Sequence, residues 1–316
     1  MSNVSNVSSV TGPQVSRVSR VGIVAKSHLH AAAPHLVEIA SWLEARAIEP
    51  VFETATAMLA AEAGGGAARR VFDKAALVAE VDLIVVLGGD GTLLSMADCI
   101  GAASVDAASA PDVPILGVNF GRLGFLTEVR LPELYPSLDA VVSGTARIEE
   151  RLMLRSTTMR NGAPLGQHVT LNDVVVTKAA RSRMLELSVS VGEEFVARVK
   201  ADGLIVATPT GSTAYNLAAG GPIVQPGMDA LVLTPIAPHM LTNRPIVIPS
   251  GSPVRVQPIM DQRDEVYVTF DGQEGYVLER GDEVIICCAT RRLKLLHPSS
   301  RSYFEVLREK LKWNER

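Results

Sequence analysis

The chain has 316 residues, 47% of them hydrophobic and 20% charged, which excludes a disordered chain and suits two domains of ordinary size. Its formal net charge of −4 lacks the basic excess of a nucleic-acid surface, and no apolar run reaches the roughly 18 residues of a membrane span. Neither nucleic acid nor membrane is therefore an expected partner.

Residues 1–20 repeat Ser, Val and Asn without an apolar h-region. They read as a disordered tail and not as a secretory signal. The fold starts at Val21–Ala25, a short apolar strand, followed by a helix over Pro34–Arg46 with Leu36, Ile39, Ala40 and Leu43 on one face. Pro50–Glu53 is a short strand, and Gly64–Gly66 breaks the chain. Asp82–Leu87 is apolar from Leu83 onward, as a parallel strand covered on both faces should be. Thr92–Ile100 is helical, Pro114–Asn119 is a further buried strand, and Leu131–Ser143 is a closing helix. Alternating strands and helices imply an α/β domain with an open, mostly parallel sheet.

Near residue 147 the character changes and strands dominate. They are expected at Arg151–Met159, His168–Thr177, Leu185–Val191, Phe195–Lys200, Gly203–Thr208, Ala230–Thr234, Pro245–Ile248, Pro253–Pro258, Val266–Asp271 and Glu283–Cys288. Asn161-Gly162 and Asp271-Gly272 are turn signals between them. This is a mostly antiparallel, all-β C-terminal domain. The chain ends in a helix over Tyr303–Trp313, with Ser302 and Glu305 at capping-box spacing. The expected division is a tail at 1–20, an α/β phosphate-binding domain from 21–147 and 297–316, and a β-rich domain from 148–296. Cys99, Cys287 and Cys288 form neither a disulfide framework nor a CxxC pair. Reduced thiols and a cytoplasmic location fit them, and no metal-ligating set is legible.

Four motifs carry chemistry. In Gly88-Gly89-Asp90-Gly91-Thr92, three glycines follow a buried strand and precede a helix. Glycines serve turns everywhere, but here they let a ligand approach the backbone, and the helix N-terminus suits a phosphate. The loop is neither GxGxxG nor a Walker A sequence, which argues against a dehydrogenase or a P-loop enzyme. Asp90 would repel phosphate unless it had another task. It either binds Mg²⁺, accepts a proton from an attacking hydroxyl, or bonds only its own turn.

The second motif is Thr208-Pro-Thr210-Gly-Ser212-Thr213-Ala214-Tyr215, with more hydroxyls than a helix cap needs and a ring available for stacking. Third is Asn172-Asp173, a polar pair inside an apolar strand, read as an inward-facing site or as a bulge. Fourth is Asp271-Gly272-Gln273, which by itself reads as a hairpin turn.

Taken together and in this order, these motifs resemble the NAD kinase family, marked by a GGDGT loop, an Asn-Glu/Asp pair, a DG…TPTGSTAY segment and a late DGQ. Gly117–Thr127 also matches that family's G-x-x-x-G-x-L-G-F segment, which contains Phe125. The resemblance spans residue 21 to the C-terminus. It implies phosphoryl transfer from ATP to the 2′-hydroxyl of the adenosine ribose of NAD, with Mg²⁺ or another divalent cation accompanying ATP. Asp90 would be the catalytic base, with Gly88, Gly89, Gly91 and Thr92 around the phosphates. Phe125, Asn172, Asp173, Arg183, Lys200, Asp202, Ser212, Thr213, Ala214, Tyr215, Asn216, Leu217, Ala218 and Gln273 would line the dinucleotide site. The pair is Asn172-Asp173 where Asn-Glu is common, and Ala218 stands where Ser is common. The resemblance further implies a homodimer or homotetramer. A lipid kinase sharing GGDGT and a non-catalytic dinucleotide sensor are the alternatives.

Overall fold

The computed structural model of the chain describes residues 18–313 apart from 66–68, 106–111, 122, 180–183, 241, 262–263 and 298–300. The first half runs β1 (Arg20–Ala25), α1 (Ala33–Glu44), β2 (Glu49–Glu53), α2 (Thr54–Glu62), β3 (Arg70–Phe72), α3 (Lys74–Glu80) and β4 (Leu83–Gly88). It continues with α4 (Asp90–Val105), β5 (Ile115–Asn119), β6 (Val129–Arg130), α5 (Leu134–Val142) and β7 (Arg147–Arg151). Helix α1 buries Leu36, Ile39, Ala40 and Leu43, the i, i+3, i+4, i+7 face that its sequence shows. Strands β4 and β5 are buried at every residue, so their lack of alternation reflects cover on both faces.

The second half is β8 (Leu154–Arg160), β9 (Ala163–Thr170), β10 (Asp173–Lys178), β11 (Leu185–Val191), β12 (Glu194–Ala201) and β13 (Gly203–Ala207). The short α6 (Tyr215–Ala218) precedes β14 (Ala230–Ile236), β15 (Ile246–Pro249), β16 (Val254–Ile259), β17 (Val266–Phe270), β18 (Glu274–Leu278) and β19 (Glu283–Cys288). Strand β20 (Leu293–His297) and helix α7 (Tyr303–Leu311) end the described chain.

Three sheets result. The first has the order β3-β2-β1-β4-β5-β20-β7, with β6 on β5. Its pairs are parallel except β20 with β7. The other two, β15-β14-β13-β10-β17-β18 and β12-β11-β16-β19-β8-β9, are antiparallel. They enclose one apolar core with Val174 and Val206 from one sheet and Leu187 and Val256 from the other. The α/β sheet followed by antiparallel β-sheets is the expected two-domain architecture. The chain returns to the first sheet at β20, and α7 starts at a Ser302/Glu305 capping box and pairs its Glu309 with Arg130 of the first domain.

Several local expectations need correction. The tail was placed to residue 20, but Val18 is buried, Ser19 donates from its N–H and hydroxyl to Asp82, and Arg20 opens β1. Residues 1–17 lie outside the described residues. Helix α2, strand β3 and helix α3 were not anticipated. Helix α2 is TATAMLAAE with almost no apolar face, and its start is fixed by the Glu53 carboxylate, which accepts from the N–H of Ala55 and Thr56. The expected strands Arg151–Met159 and His168–Thr177 are each two strands. The chain crosses between sheets at Leu152–Met153 and again at Leu171–Asn172, so no single pleat continues through either point. Strands β18 and β20 were also missed.

The strand order turns between β1 and β4: β2 lies beyond one and β5 beyond the other. In open α/β sheets a ligand crevice forms at the carboxyl ends flanking such a switch point. Here those ends are Ala25 and Gly88. Helix α4 leaves this crevice and packs onto β9. A Cβ on Gly101 would lie 2.6 Å from Val169 Cγ1, so this glycine sets how closely the helix meets the second domain.

Candidate active site

At the switch point a cleft of about 360 Å³ opens, lined by Lys26, Lys74, Gly89, Gly91, Thr92 and Ser95, among others. Lys26 follows β1 directly, and Lys74 starts α3 behind its Asp73 N-cap. The Lys74 ammonium donates to Ser95 Oγ at 2.6 Å. Neither lysine was singled out from the sequence; their positions just after a strand end and a helix cap were the available signals. Added Cβ atoms at Gly89 and Gly91 would meet nothing within 4 Å. The protein interior therefore does not demand glycine there, and the open face does: it leaves backbone N–H groups and the α4 dipole bare to an anion. Gly88 differs, since a Cβ would stand 2.6 Å from Thr92 Oγ1.

Asp90 begins α4, and its carboxylate is bound on the side of residues 124–127. Oδ2 accepts from the Phe125 N–H at 2.8 Å. Oδ1 accepts from the N–H of Leu126 at 3.1 Å and of Thr127 at 3.0 Å, and from the Thr127 hydroxyl at 3.0 Å. A Cβ on Gly124 would lie 2.0 Å from Asp90 Oδ1, so the G-x-L-G-F segment needs glycine to admit this carboxylate. Asn119 supports the same loop by donating to Thr127 Oγ1 and accepting from the Gly121 N–H. With about four acceptor positions on a carboxylate, Oδ1 is saturated and Oδ2 keeps one position.

The Asn172 break is held in a parallel way. Asp271 and Gly272 both have positive φ, 50° and 64°, forming the hairpin turn between β17 and β18. That turn points the Asp271 carboxylate at three consecutive amides: Leu171 at 2.8 Å, Asn172 at 2.8 Å and Asp173 at 3.0 Å. Thr208 donates from its hydroxyl to Leu171 O at 2.6 Å. Gly211 lies so close that a Cβ would be 2.1 Å from Asn172 O. Leu171 shares an apolar cluster with Leu93, Leu94 and Leu126. The GGDGT helix, the Gly117–Thr127 segment, the Asn-Asp pair and the TPTGS loop thus meet in one place.

The structure divides the remaining expected site residues. Ser212 and Asn216 are fully buried. Ser212 Oγ bonds Pro209 O and the Val224 N–H. The Asn216 amide donates to Ser212 O and Pro222 O and accepts from Thr234. Their side chains fasten the loop from inside. Tyr215 is 47% exposed, so its ring face is available. Thr213, Ala214 and Leu217 are half-buried beside it, Ala218 and Gln273 are exposed, and Phe125 is half-buried under the Lys310 ammonium. Lys200 and Asp202 do not join the cluster. They precede β13, whereas Thr208–Tyr215 follow it; Lys200 pairs with Glu186 and Asp202 with Lys178. Arg183 lies outside the described residues. Among the described residues no group of three or more His, Cys, Asp or Glu could hold a metal ion, and no helix is long and apolar enough to cross a membrane.

A glycine cradle at the switch point of an α/β sheet, an acid within it and a β domain packed against its helix define a phosphotransferase of the two-domain kinase type. Residues 21–146 match the family model of the ATP-NAD kinase N-terminal domain and residues 171–298 that of the ATP-NAD kinase C-terminal domain. The chain belongs to the ATP-NAD kinase family. It is 45% identical over 300 residues to the NAD kinase of Syntrophotalea carbinolica, covering 95% of this chain and all of the relative. The NAD kinase of Geobacter sulfurreducens is also 45% identical, over 299 residues, again covering 95% and 100%. Among solved structures, a yeast NADH kinase complexed with NADH superposes with a TM-score of 0.84 at 26% identity, covering 95% of this chain and 89% of that one. An Archaeoglobus fulgidus NAD kinase in complex with ATP shares the fold at TM-score 0.69 and 24% identity, covering 92% and 99%.

Asp173 is buried, and the half-buried Asp271 stands beside it. Burial pushes the Asp173 carboxyl up, aided by the Asp271 charge, to about 7. Burial raises Asp271 too, against the three amides that favour its anion. The proton therefore belongs on Asp173. The folded chain holds it more tightly than the unfolded one, so this pair lowers stability as pH rises from about 4 through 7. Asp173→Asn is expected to be more stable than the parent at pH 8, by up to roughly 4 kcal/mol, with the gain vanishing near pH 4. Urea unfolding at both pH values measures this, and an equal difference at the two would refute the assignment.

Proposed function

We propose that this chain transfers the terminal phosphoryl group of ATP to the 2′-hydroxyl of the adenosine ribose of NAD, forming NADP and ADP. The observation that carries the reading is Asp90, fixed by four donors from residues 125–127 and set between Gly89 and Gly91 of the bare cleft. Donor and acceptor substrates would then lie on opposite sides of one carboxylate. The triphosphate would occupy the cleft, with Lys26 and Lys74 offsetting its charge and Gly89 and Gly91 giving it backbone N–H groups. A divalent cation, when bound with ATP, would neutralise charge on its phosphates. The described residues offer it no protein cage, and its ligands would be largely phosphate and water.

In the transfer, the bond from the γ-phosphorus to the ribose oxygen forms as the β–γ bridging bond breaks. Such a transition state is loose, and catalysis rests on alignment and fixed charge. The open Oδ2 position of Asp90 would accept the hydroxyl hydrogen bond, aim its oxygen and take its proton late. Asn172, Asp173, Thr213, Ala214 and Tyr215 would hold the adenosine end, with Ser212 and Asn216 bracing their loop. Free thiols at Cys99, Cys287 and Cys288 accord with a cytoplasmic setting.

The position of Lys200 and Asp202 at the far end of β13 supports a homo-oligomer, either homodimer or homotetramer, in which a second copy brings these residues to the site. Mixing Asp90→Asn with Asp202→Asn chains, each weakly active alone, should then restore roughly a quarter of parent activity, because random pairing leaves one intact site in each mixed dimer. No recovery after co-refolding would sink this arrangement.

Two variants test the central reading with purified protein, ATP, Mg²⁺ and NAD, followed by an NADP-specific dehydrogenase readout. Asp90→Asn should lower kcat by at least about 100-fold, within the range of general-base removal, while NAD still binds. Lys74→Met should raise the KM for ATP by about tenfold and leave that for NAD within about twofold, as loss of one charge-assisted phosphate contact predicts. Turnover of diacylglycerol in place of NAD would favour a lipid kinase instead.

A further inference from the structure

We propose that His297 is a positioning residue for phosphoryl transfer, a bridge between two acids that fixes the segment from which the Asp90 carboxylate is held. The proposal rests on the function given above for its kinetic part.

His297 ends β20, between β5 and β7. Its Nδ1 lies 3.0 Å from Glu128 Oε2; its Nε2 lies 2.6 Å from Glu149 Oε2, a close ion-pair contact that is out of line for a hydrogen bond. A neutral imidazole leaves one nitrogen's lone pair facing a carboxylate, so a carboxylate against each nitrogen favours the imidazolium. Burial opposes that charge, but the acceptance of its N–H groups by the two carboxylates and their negative charges outweigh it and push His297 up to about 9. Burial would raise Glu149, yet His297 and Arg151 bring it down to about 2. The other groups facing the imidazole are Arg147, Arg151, Arg301 and Tyr303, which line a polar cavity of about 220 Å³ with it.

Buried ion clusters are weak sources of stability, since desolvation offsets much of the attraction. This one has a specific target. Glu128 directly follows Thr127, whose N–H and hydroxyl both donate to Asp90 Oδ1. Glu128 is held twice: its carboxylate by His297, and its carbonyl oxygen by Arg301 Nη1 at 2.8 Å. Arg301 also pairs with Glu133, and Arg130 on the far side pairs with Glu309 of α7. The segment between Gly124 and Arg130 is thus pinned at one end by Asp90 and at the other by the C-terminal part of the chain. Releasing Glu128 would let residues 125–127 shift, and Asp90 would lose its aim without any substrate contact being removed.

The test uses His297→Gln in the full chain. Its kcat for NADP formation at pH 7.5 should fall at least tenfold, with KM for ATP and NAD within twofold of the parent. The parent's kcat should decline as pH rises past about 9, where the imidazolium is lost; the Gln variant should lack that limb. Should His297→Gln fail to fold, Glu149→Gln serves. Removing one flanking charge should move the alkaline limb to lower pH. Amide hydrogen exchange at residues 125–127 is read without turnover and should be at least tenfold faster in either variant. A kcat within twofold of the parent, an unmoved alkaline limb, or unchanged exchange overturns the proposal. If the parent makes no NADP, the functional reading fails by itself and the exchange result still decides the bridge.

Discussion

The structure depends on one unusual acceptor: a carboxylate at the first residue of a helix that bonds three consecutive amides of another loop. Asp90 receives the N–H groups of Phe125, Leu126 and Thr127. Those amides belong to no helix or strand, and once taken out of water they would be costly to leave unpaired. One side chain satisfies all three. It therefore fixes where β5 hands the chain to β6, and so the wall facing the second domain. The glycine at 124 is a consequence, because no Cβ fits beside Oδ1.

The same device occurs a second time. Asp271 accepts from Leu171, Asn172 and Asp173, again at an Asp-Gly step and again where a strand leaves its sheet. Runs of amides converging on one point make a natural anion nest, and here the anion is supplied by the chain itself. The two nests meet through Leu171, which packs with Leu93, Leu94 and Leu126. An acid motif from each domain thereby defines one junction. The two acids differ in what stands beside them. Asp90 stands between Gly89 and Gly91, which line the cleft with two lysines, whereas Asp271 stands beside another acid, Asp173, whose carboxyl burial and the Asp271 charge push up to about 7.

Much of this was legible in the sequence. Buried parallel strands such as Leu83–Gly88 announce themselves as unbroken apolar runs, and the Asp271-Gly272 turn and the Ser302/Glu305 cap formed where their residues indicated. What stayed hidden is long-range. The strands drawn through Leu152 and Leu171 were each expected to be single, because period-2 patterning carries no mark of a chain changing sheets. Helix α2 lacks an apolar stripe, and only the Glu53 cap behind it betrays the start. Within the site, the glycines and Asp90 could be picked out by local composition. The partners of Asp90, 35 to 37 residues away, could not, and neither could the inward use of Ser212 and Asn216, since a hydroxyl or amide in a loop looks the same whether it faces a ligand or braces the loop.

The bonding of Asp90 also bears on what kind of chemistry this carboxylate suits. Four donors from residues 125–127 hold this carboxylate in one orientation. A mechanism that needed a ribose alkoxide before transfer would be badly served. A loose transition state asks for less: the leaving oxygen departs first, charge gathers on the γ-phosphoryl oxygens, and the incoming hydroxyl becomes acidic only as its bond to phosphorus forms. At that stage a fixed acceptor with one open position suffices, and its rigidity matters more than its basicity, since misplacement by about 1 Å can cost roughly 100-fold in rate. Anchoring by four donors gives this carboxylate the fixed aim that such a transfer would ask of its acceptor.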